Sequence, residues 1–177
     1  MEMTELRTQI NELKKAFKIG RSASIKVTGS TLSGSIYVNV LIKKVLPATT
    51  QFLDAVKRYS YQNAENDVMT DYFPGGDIFI DIDITDEAIN EQFTGLKNSL
   101  IAHRVTNGIY TDDSFIAGLT LTEYPSTDSA SVIALKDVNF KPIASLAEVN
   151  TNDSTTLSEA LNVLIGQAFC LGKIPAA

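Results

Sequence analysis

The sequence predicts an α+β fold, and two observations indicate it. Strand-like and helical segments are interleaved too irregularly for a doubly wound parallel sheet, and the clearest strand alternates acidic and apolar residues over residues 77–85. Such alternation is typical of a strand with one buried and one solvent-facing side. We expect an N-terminal module over residues 1–85 and a C-terminal part over residues 86–177, packed on the module or continuous with it.

The N-terminal module begins with a predicted amphipathic helix over residues 4–17, in which Thr4 suits the N-cap. Residues 24–28 and 35–42 are predicted strands, and the glycine-containing segment between them has the length of a hairpin loop. Pro47 suits the first turn of a second helix, after which residues 61–74 are polar and predicted to be irregular. With the strand over residues 78–85, these segments are expected to form a small antiparallel sheet module.

The C-terminal part is expected to be helix-rich, with one or two extra strands. A third helix is predicted from Asp86 to about His103, and residues 115–122 and 131–135 are candidate strands. Thr156 and Glu159 have the spacing of a capping box at the start of a last helix, which is apolar on most sides. Such a helix belongs to the core or to a self-association face, so a homodimer is a possible assembly.

Composition indicates an ordinary soluble globular protein, with 44% hydrophobic and 20% charged residues among 177. No apolar run approaches the roughly 20 residues that cross a membrane, and the polar N-terminus predicts no secretory signal. The single cysteine, Cys170, excludes an intramolecular disulfide and a cysteine-rich metal site. We therefore expect a cytoplasmic protein with no membrane partner, no metal and no cofactor.

Charge is distributed very unevenly along the chain. Residues 1–58 hold ten Lys or Arg against four acids, whereas no basic residue lies between Arg58 and Lys97. That acidic segment contains nine carboxylates: Glu65, Asp67, Asp71, Asp77, Asp81, Asp83, Asp86, Glu87 and Glu91. Asymmetry of this kind bears on partners and association more than on fold, and it predicts a protein that binds something charged.

The acidic segment is the first candidate binding surface. Its carboxylates would imitate nucleic-acid phosphates in a basic protein groove, and alternate strand positions such as Asp81 and Asp83 are about 7 Å apart. The candidate partner-binding residues are Asp67, Asp71, Asp77, Asp81, Asp83, Asp86 and Glu87. Two alternatives remain open: a solvated face that only confers solubility, and a divalent-cation site, although no spacing matches a calcium loop.

The basic N-terminal module indicates a second possibility, direct binding of nucleic acid. The candidate residues are Lys14, Lys15, Lys18, Arg21, Lys26, Lys43 and Lys44, with Tyr37 and Tyr59 available for stacking on bases. No nucleic-acid-binding motif accompanies them, and the isoelectric point is about 4.7. Direct binding of nucleic acid is therefore the less expected function.

The strand over residues 78–85 also resembles the first motif of haloacid-dehalogenase-type phosphatases, an apolar strand that ends in Asp-x-Asp-x-Thr. The resemblance implies that Asp81 is a nucleophile, Asp83 a general acid/base, and Mg²⁺ a cofactor. It also implies roles for Lys97 and for the pair Asp112 and Asp113. The motif normally opens a parallel α/β fold, whereas here it lies in the middle of the chain.

Several short segments, taken in order, resemble another family. They are residues 13–17, 24–27, 31–38 and 76–80, together with the run Asp67-Val68-Met69-Thr70-Asp71. This order is similar to one of the small "large polyvalent protein associated" domains of phages and conjugative elements, over residues 6–85. The chain departs from that family at residues 32–35, where the family has Tyr-Ser-Gly-Gly, and at residues 40–42, where it has a tryptophan.

This second resemblance implies an origin on a phage or mobile element, and it implies no catalytic residues. With the acidic segment, it predicts a non-enzymatic counter-defence protein in the cytoplasm of a bacterial host cell, an anti-CRISPR-like inhibitor. The expected partner is a host complex that handles nucleic acid, such as a CRISPR effector. A nucleic-acid-binding module is the alternative, and a magnesium-dependent phosphatase or nuclease is the third.

Overall fold

The computed structural model describes residues 2–29, 34–69, 77–127 and 129–175, without the side chains of residues 61–69. Over these residues the chain divides into two compact units, one built from Met1–Ala88 and one from Ile89–Ile174. The sequence predicts a division between residues 85 and 86, and the division by contacts falls after Ala88.

The first unit combines two helices with a sheet whose order is β1-β2-β3 in the part of the chain that the structure describes. In chain order its elements are helix α1 (Met3–Ala16), strands β1 (Ala23–Gly29) and β2 (Ile36–Ile42), helix α2 (Thr49–Met69) and strand β3 (Ile78–Ile84). The α+β class that the sequence predicts is confirmed.

One face of this sheet is buried and the other is exposed. Along β2, Val38 and Val40 are buried, whereas Tyr37 and Asn39 beside them are exposed. Helices α1 and α2 contact the sheet and supply side chains with no remaining exposure: Leu6, Ile10, Phe52 and Val56. Since full burial of one such side chain stabilises a fold by about 1.5–3 kcal/mol, this one-sided core holds the unit together.

The predicted antiparallel arrangement of the first sheet is correct for β1 and β2 but wrong for β3. Strands β1 and β2 pair antiparallel from Ala23↔Ile42 to Gly29↔Ile36. Strand β3 pairs with β2 in parallel, from Ile36↔Ile78 to Ile42↔Ile84. A parallel pair needs a crossover connection, and α2 supplies it by carrying the chain back to the end where β2 began.

Helix α2 is longer than the sequence predicts. It continues to Met69, so the prediction of irregular structure is wrong for residues 61–69. No glycine or proline occurs in those residues, and the good helix formers Gln62, Ala64, Glu65 and Met69 among them allow the helix to continue. The rest of the predicted irregular stretch, residues 70–74, lies outside the described residues.

The second unit contains more strand than the sequence predicts. Its elements are helix α3 (Asp86–Ala102, which begins in the first unit), strands β4 (Val105–Thr106), β5 (Leu119–Pro125), β6 (Ser131–Asp137) and β7 (Pro142–Val149), and helix α4 (Ser154–Cys170). Their order in the described sheet is β4-β5-β6-β7, with β4 parallel to β5 and the other pairs antiparallel. The sequence does not predict strand β7, because register shifts between β6 and β7 disturb the alternation of buried and exposed residues by which a strand is recognised.

Both predicted N-caps are wrong. Helix α1 has Glu2 at its N-cap and no side-chain cap hydrogen bond, because the helix begins before Thr4. Helix α4 begins at Ser154, where the carboxylate of Asp153 accepts hydrogen bonds from the backbone N–H groups of Thr155 and Thr156. An aspartate at this position caps the helix at least as well as Thr156, three residues further on, would have done.

A buried lysine joins α3 to α4 in the second unit. Lys97 is only 7% exposed, and its Nζ donates to Asn90 Oδ1 at 2.9 Å, Ser158 Oγ at 2.9 Å and Asn162 Oδ1 at 3.1 Å. An ammonium group has three N–H donors, so these neutral oxygens satisfy all of them. The hydrogen bonds offset the cost of burying the charge and fix how the two helices pack.

We expect Lys97→Met to destabilise the protein by about 2 kcal/mol, because the buried Asn162 amide oxygen loses its donor. The double variant Lys97→Met/Asn162→Leu removes both polar partners and recovers most of that loss. Urea denaturation of both variants and of the exposed-site control Lys141→Met measures the difference. Additive losses in the double variant would contradict this coupling.

Helix α1 ends in a turn that glycine usually makes. The N–H of Lys18 donates to the carbonyl of Lys15 at 3.1 Å, and the N–H of Ile19 donates to that of Lys14 at 2.9 Å. This pair of bonds is the Schellman motif, in which the residue after the C-cap is left-handed. Lys18 holds that position with φ of +54°. A side chain with a Cβ is strained there, by about 1–2 kcal/mol.

Lys18→Gly should therefore stabilise the protein by about 0.5–1 kcal/mol, after the greater flexibility of glycine in the unfolded chain is subtracted. Lys18→Ala is the matched control, because alanine removes the amine but keeps the strained Cβ. Thermal and urea unfolding compare the two variants. Equal stabilities for the glycine and alanine variants would show that the turn stores no strain.

Candidate partner-binding face

The outward side chains of β1, β2 and β3 form three cross-strand rows on the exposed face of the first sheet. The register gives the rows as Thr28, Tyr37 and Phe79; Lys26, Asn39 and Asp81; and Ser24, Leu41 and Asp83. We call these side chains the open face. It is aromatic near the β1–β2 connection and acidic along β3, at the edge of the described sheet.

Two aromatic rings stack at one end of the open face. The ring centroids of Tyr37 and Phe79 are 5.4 Å apart and their planes differ by 18°. The two residues remain 41% and 49% exposed, although aromatic side chains are usually largely buried. The pair therefore keeps apolar area that a partner can cover, with the geometry that favours a further stacked group.

Sequence reasoning named Tyr37 for base stacking but did not single out Phe79. The sequence carries a signal for it, since Phe79 stands at an outward position of the acidic strand. Its contact with Tyr37 depends on the parallel register Tyr37↔Phe79, which the antiparallel prediction did not contain.

Three of the candidate carboxylates lie along the same strand. Asp77 directly precedes β3, while Asp81 and Asp83 point outward from it, and all three are exposed. One oxygen of Asp83 accepts a hydrogen bond from the backbone N–H of Ile84 at 2.9 Å. Asp81 and Asp83 form no ion pair with any residue that the structure describes. Their charges are thus available to a partner.

A shallow hollow of about 290 Å³ lies between these carboxylates and β1. The outward side chains that line it are Ser24, Lys26, Asn39, Leu41, Asp81 and Asp83. Cavities that bind small molecules run from about 300 to 1,000 Å³ and bury most of the ligand. A hollow at the lower limit of that range, on an exposed sheet face, suits a side chain of a protein partner better.

The remaining acidic candidates have other surroundings. Asp86 and Glu87 are exposed in the first turn of α3, where the helix dipole favours negative charge. Thr85 caps that turn, because its hydroxyl oxygen accepts a hydrogen bond from the N–H of Ala88 at 3.2 Å. Asp67 lies on α2, but its side chain is outside the described residues, and so is all of Asp71. The structure therefore places Asp77, Asp81 and Asp83 along one strand, whereas Asp86 and Glu87 also complement the dipole of α3.

The residues of the phosphatase resemblance have a different geometry from the one it implies. Asp81 and Asp83 lie inside an edge strand rather than beyond the end of a central one. The amine of Lys97 is fully hydrogen-bonded within the second unit. The pair Asp112 and Asp113 is exposed on a 3₁₀ turn of that unit.

The basic candidates divide into two groups. Lys14, Lys15 and Lys18 line a hollow of about 530 Å³ at the end of α1. Arg21 follows them in the chain, in a 3₁₀ turn. The carbonyl of the next residue, Ser22, accepts hydrogen bonds from the N–H groups of Lys43 and Lys44, so the backbone of these two lysines lies close to that turn. Lys26 is apart from this group, on the open face. Tyr59 is half-buried in α2, and burial raises the pKa of its phenol.

The second unit has a polar cluster that sequence reasoning did not anticipate. Lys136 Nζ donates to the hydroxyl of Tyr110 at 3.3 Å and to that of Tyr124. Burial raises the pKa of Tyr110, but its hydrogen bonds with Thr122 and Lys136 and the charge of Lys136 outweigh burial, so this pKa lies below its ordinary value. The hydrogen bond to Tyr124 raises the pKa of Lys136. These hydrogen bonds link side chains of β5 and β6 to Tyr110, which lies in the loop before β5.

Within the described ranges, no three His, Cys, Asp or Glu side chains are placed to hold a metal ion together. None of the described helices combines the length and the apolar character of a membrane-spanning segment. Comparison of the chain with protein-family models, with curated proteins and with solved structures found no significant match.

Proposed function

We propose that this protein is a non-enzymatic inhibitor that docks its open face on the basic nucleic-acid-binding surface of a host complex. The observation that carries the proposal is the pair Asp81 and Asp83, which are exposed and without an ion pair in the described structure. The resemblance to a mobile-element domain supports a defence complex, such as a CRISPR effector, as the target. Counter-defence in the host cytoplasm is then the biological role.

The charge of the open face supports a cationic partner. Asp81 and Asp83 are at alternate strand positions, about 7 Å apart, and Asp77 lies on the far side of Phe79, just before the strand. The three carboxylates therefore form a row of negative charges that Phe79 interrupts. A groove that holds a nucleic-acid backbone presents rows of lysine and arginine to its phosphates. The carboxylates attract such a groove and steer its approach, whereas they repel the backbone itself.

The aromatic pair supports an arginine-containing partner surface in particular. A guanidinium group stacks on an aromatic ring and pairs with a carboxylate through its planar donors. The open face offers both, because Phe79 and Asp81 are successive outward residues of β3 and Tyr37 extends the aromatic surface. A strongly hydrated lysine ammonium gains less from the rings.

Neutralising the two central carboxylates tests the proposal. Tagged protein captures its partner from lysates of bacteria with active defence systems, and the Kd for the recovered complex is then measured at low and high salt. We expect Asp81→Asn/Asp83→Asn to raise that Kd about tenfold or more at low salt, because the shape is kept and the charge is lost. In cells with the matching defence system, the same variant should no longer protect an infecting phage.

The matched control is Asp112→Asn/Asp113→Asn, which removes the same charge from an exposed turn of the second unit. Its affinity should stay within about twofold of the unmodified protein, because these carboxylates do not belong to the open face and exposed charges outside an interface are largely screened by salt. Equal binding by the unmodified protein and by the β3 variant would refute docking through the open face.

Truncating the aromatic pair gives a separate prediction. Tyr37→Ala/Phe79→Ala should raise the Kd by about tenfold or more through faster dissociation, because buried aromatic anchors dominate interface energy. The slope of log Kd against log salt should stay unchanged, since no charge is removed. Surface plasmon resonance at several salt concentrations measures both quantities, and a changed slope with unchanged dissociation would contradict this role.

A further inference from the structure

The end of helix α1 carries a basic hollow that the open face does not use. It has a volume of about 530 Å³ and is lined by Asn11, Lys14, Lys15, Lys18 and Gly20. No carboxylate is among the lining residues that the structure describes. We propose that this hollow binds successive phosphate groups of a nucleic-acid backbone, independently of base sequence.

The Schellman turn is what brings the three amines around one space. Lys14 and Lys15 are in the last turn of α1, and the left-handed conformation of Lys18 reverses the chain toward them. The hydrogen bonds from Ile19 and Lys18 to the carbonyls of Lys14 and Lys15 hold this reversal in place. The negative end of the helix dipole also favours cations here, so the clustered lysines cost the fold less than they would elsewhere.

The nearby charges leave the hollow positive. Glu12 pairs with Lys15 at 3.6 Å, but both side chains are more than half exposed, so water screens the pair and it contributes little. Lys14 and Lys18 have no acidic partner among the described residues. Arg21 directly follows Gly20, which lines the hollow, and adds a further cation to this part of the chain.

The lining residues favour phosphate over other ligands. Phosphate oxygens accept hydrogen bonds from several ammonium groups at once, and the Asn11 amide adds a neutral donor. None of the lining residues that the structure describes is aromatic, so these residues offer contacts to phosphate rather than the stacking surface that single-stranded binders use to hold bases. Contacts restricted to phosphates position a nucleic acid without reading its sequence.

The strained turn gives a reason to keep lysine in a position that glycine fits better. Lys18 has φ of +54°, and no described hydrogen bond or ion pair of its side chain compensates for that conformation. Phosphate binding supplies a role for the amine that glycine cannot provide. Stability and phosphate binding are then expected to change in opposite directions at this residue.

A salt titration with a labelled oligothymidylate tests the proposal. Fluorescence anisotropy at several salt concentrations gives the slope of log K against log salt, which is about −0.7 for each phosphate neutralised on a single strand. Three lysines predict a slope of about −2. Lys14→Gln or Lys18→Gln should each reduce the magnitude of that slope by about 0.7 and raise the Kd several-fold at low salt. Lys141→Gln, which removes one exposed lysine of the second unit, should leave slope and Kd unchanged.

Two further arms make the result specific. Lys18→Gly should raise the melting temperature by a few degrees while it weakens oligothymidylate binding as much as Lys18→Gln does. Asp81→Asn/Asp83→Asn should leave the effect of Lys18→Gln intact, so the hollow and the open face can fail separately. Tripolyphosphate should displace the oligonucleotide from the unmodified protein.

Several results would overturn the proposal. They are the absence of oligothymidylate binding at low salt, the same loss in Lys141→Gln as in Lys14→Gln, and unchanged binding by Lys18→Gly. Binding of tripolyphosphate without binding of the oligonucleotide would assign the hollow to a free polyphosphate and refute its use for nucleic acid.

Discussion

The parallel pairing of β3 with β2 is the constraint on which the first unit depends. Helix α2 returns the chain so that Ile84 lies opposite Ile42, and the isoleucines of β3 then complete the core that β1, β2 and the two helices share. The same register fixes the outward residues. It sets Phe79 against Tyr37. It also places Asp81 and Asp83 on the last strand of the described sheet, so no further described strand sets a side chain beside their carboxylates.

The acidic edge has a structural use as well as the proposed functional one. An exposed edge strand is a template for pairing with other chains, and charges along it oppose such pairing. A stacked aromatic pair next to the charges works against that protection, because it adds an apolar surface where aggregation would begin. Charge along β3 therefore opposes edge-to-edge pairing, whereas the exposed rings of Tyr37 and Phe79 are the feature that the proposed binding role explains.

Buried polar groups specify the packing of the second unit. Besides Lys97, Glu123 is buried and only 8% exposed. Its carboxylate accepts hydrogen bonds from Ser131 Oγ at 3.0 Å and from Thr151 Oγ1. It also forms an ion pair with Arg104, whose Nε lies 3.4 Å away. Each group has donors or acceptors from separate elements, so any other packing would leave it unsatisfied in a dry interior. Such networks select one arrangement more than they add net stability.

The sequence by itself determined the α+β class, the hairpin of β1 and β2, helix α3 and the alternation of β3, because these follow from local periodicity and turn residues. It also indicated Asp81 and Asp83 as surface charges. Only the tertiary structure decided the parallel register of β3, the strand β7, the pairing of Tyr37 with Phe79 and the three-lysine hollow. Strand direction, bulges and the meeting of residues distant in the chain depend on how elements pack, and periodicity along one segment carries no information on that packing.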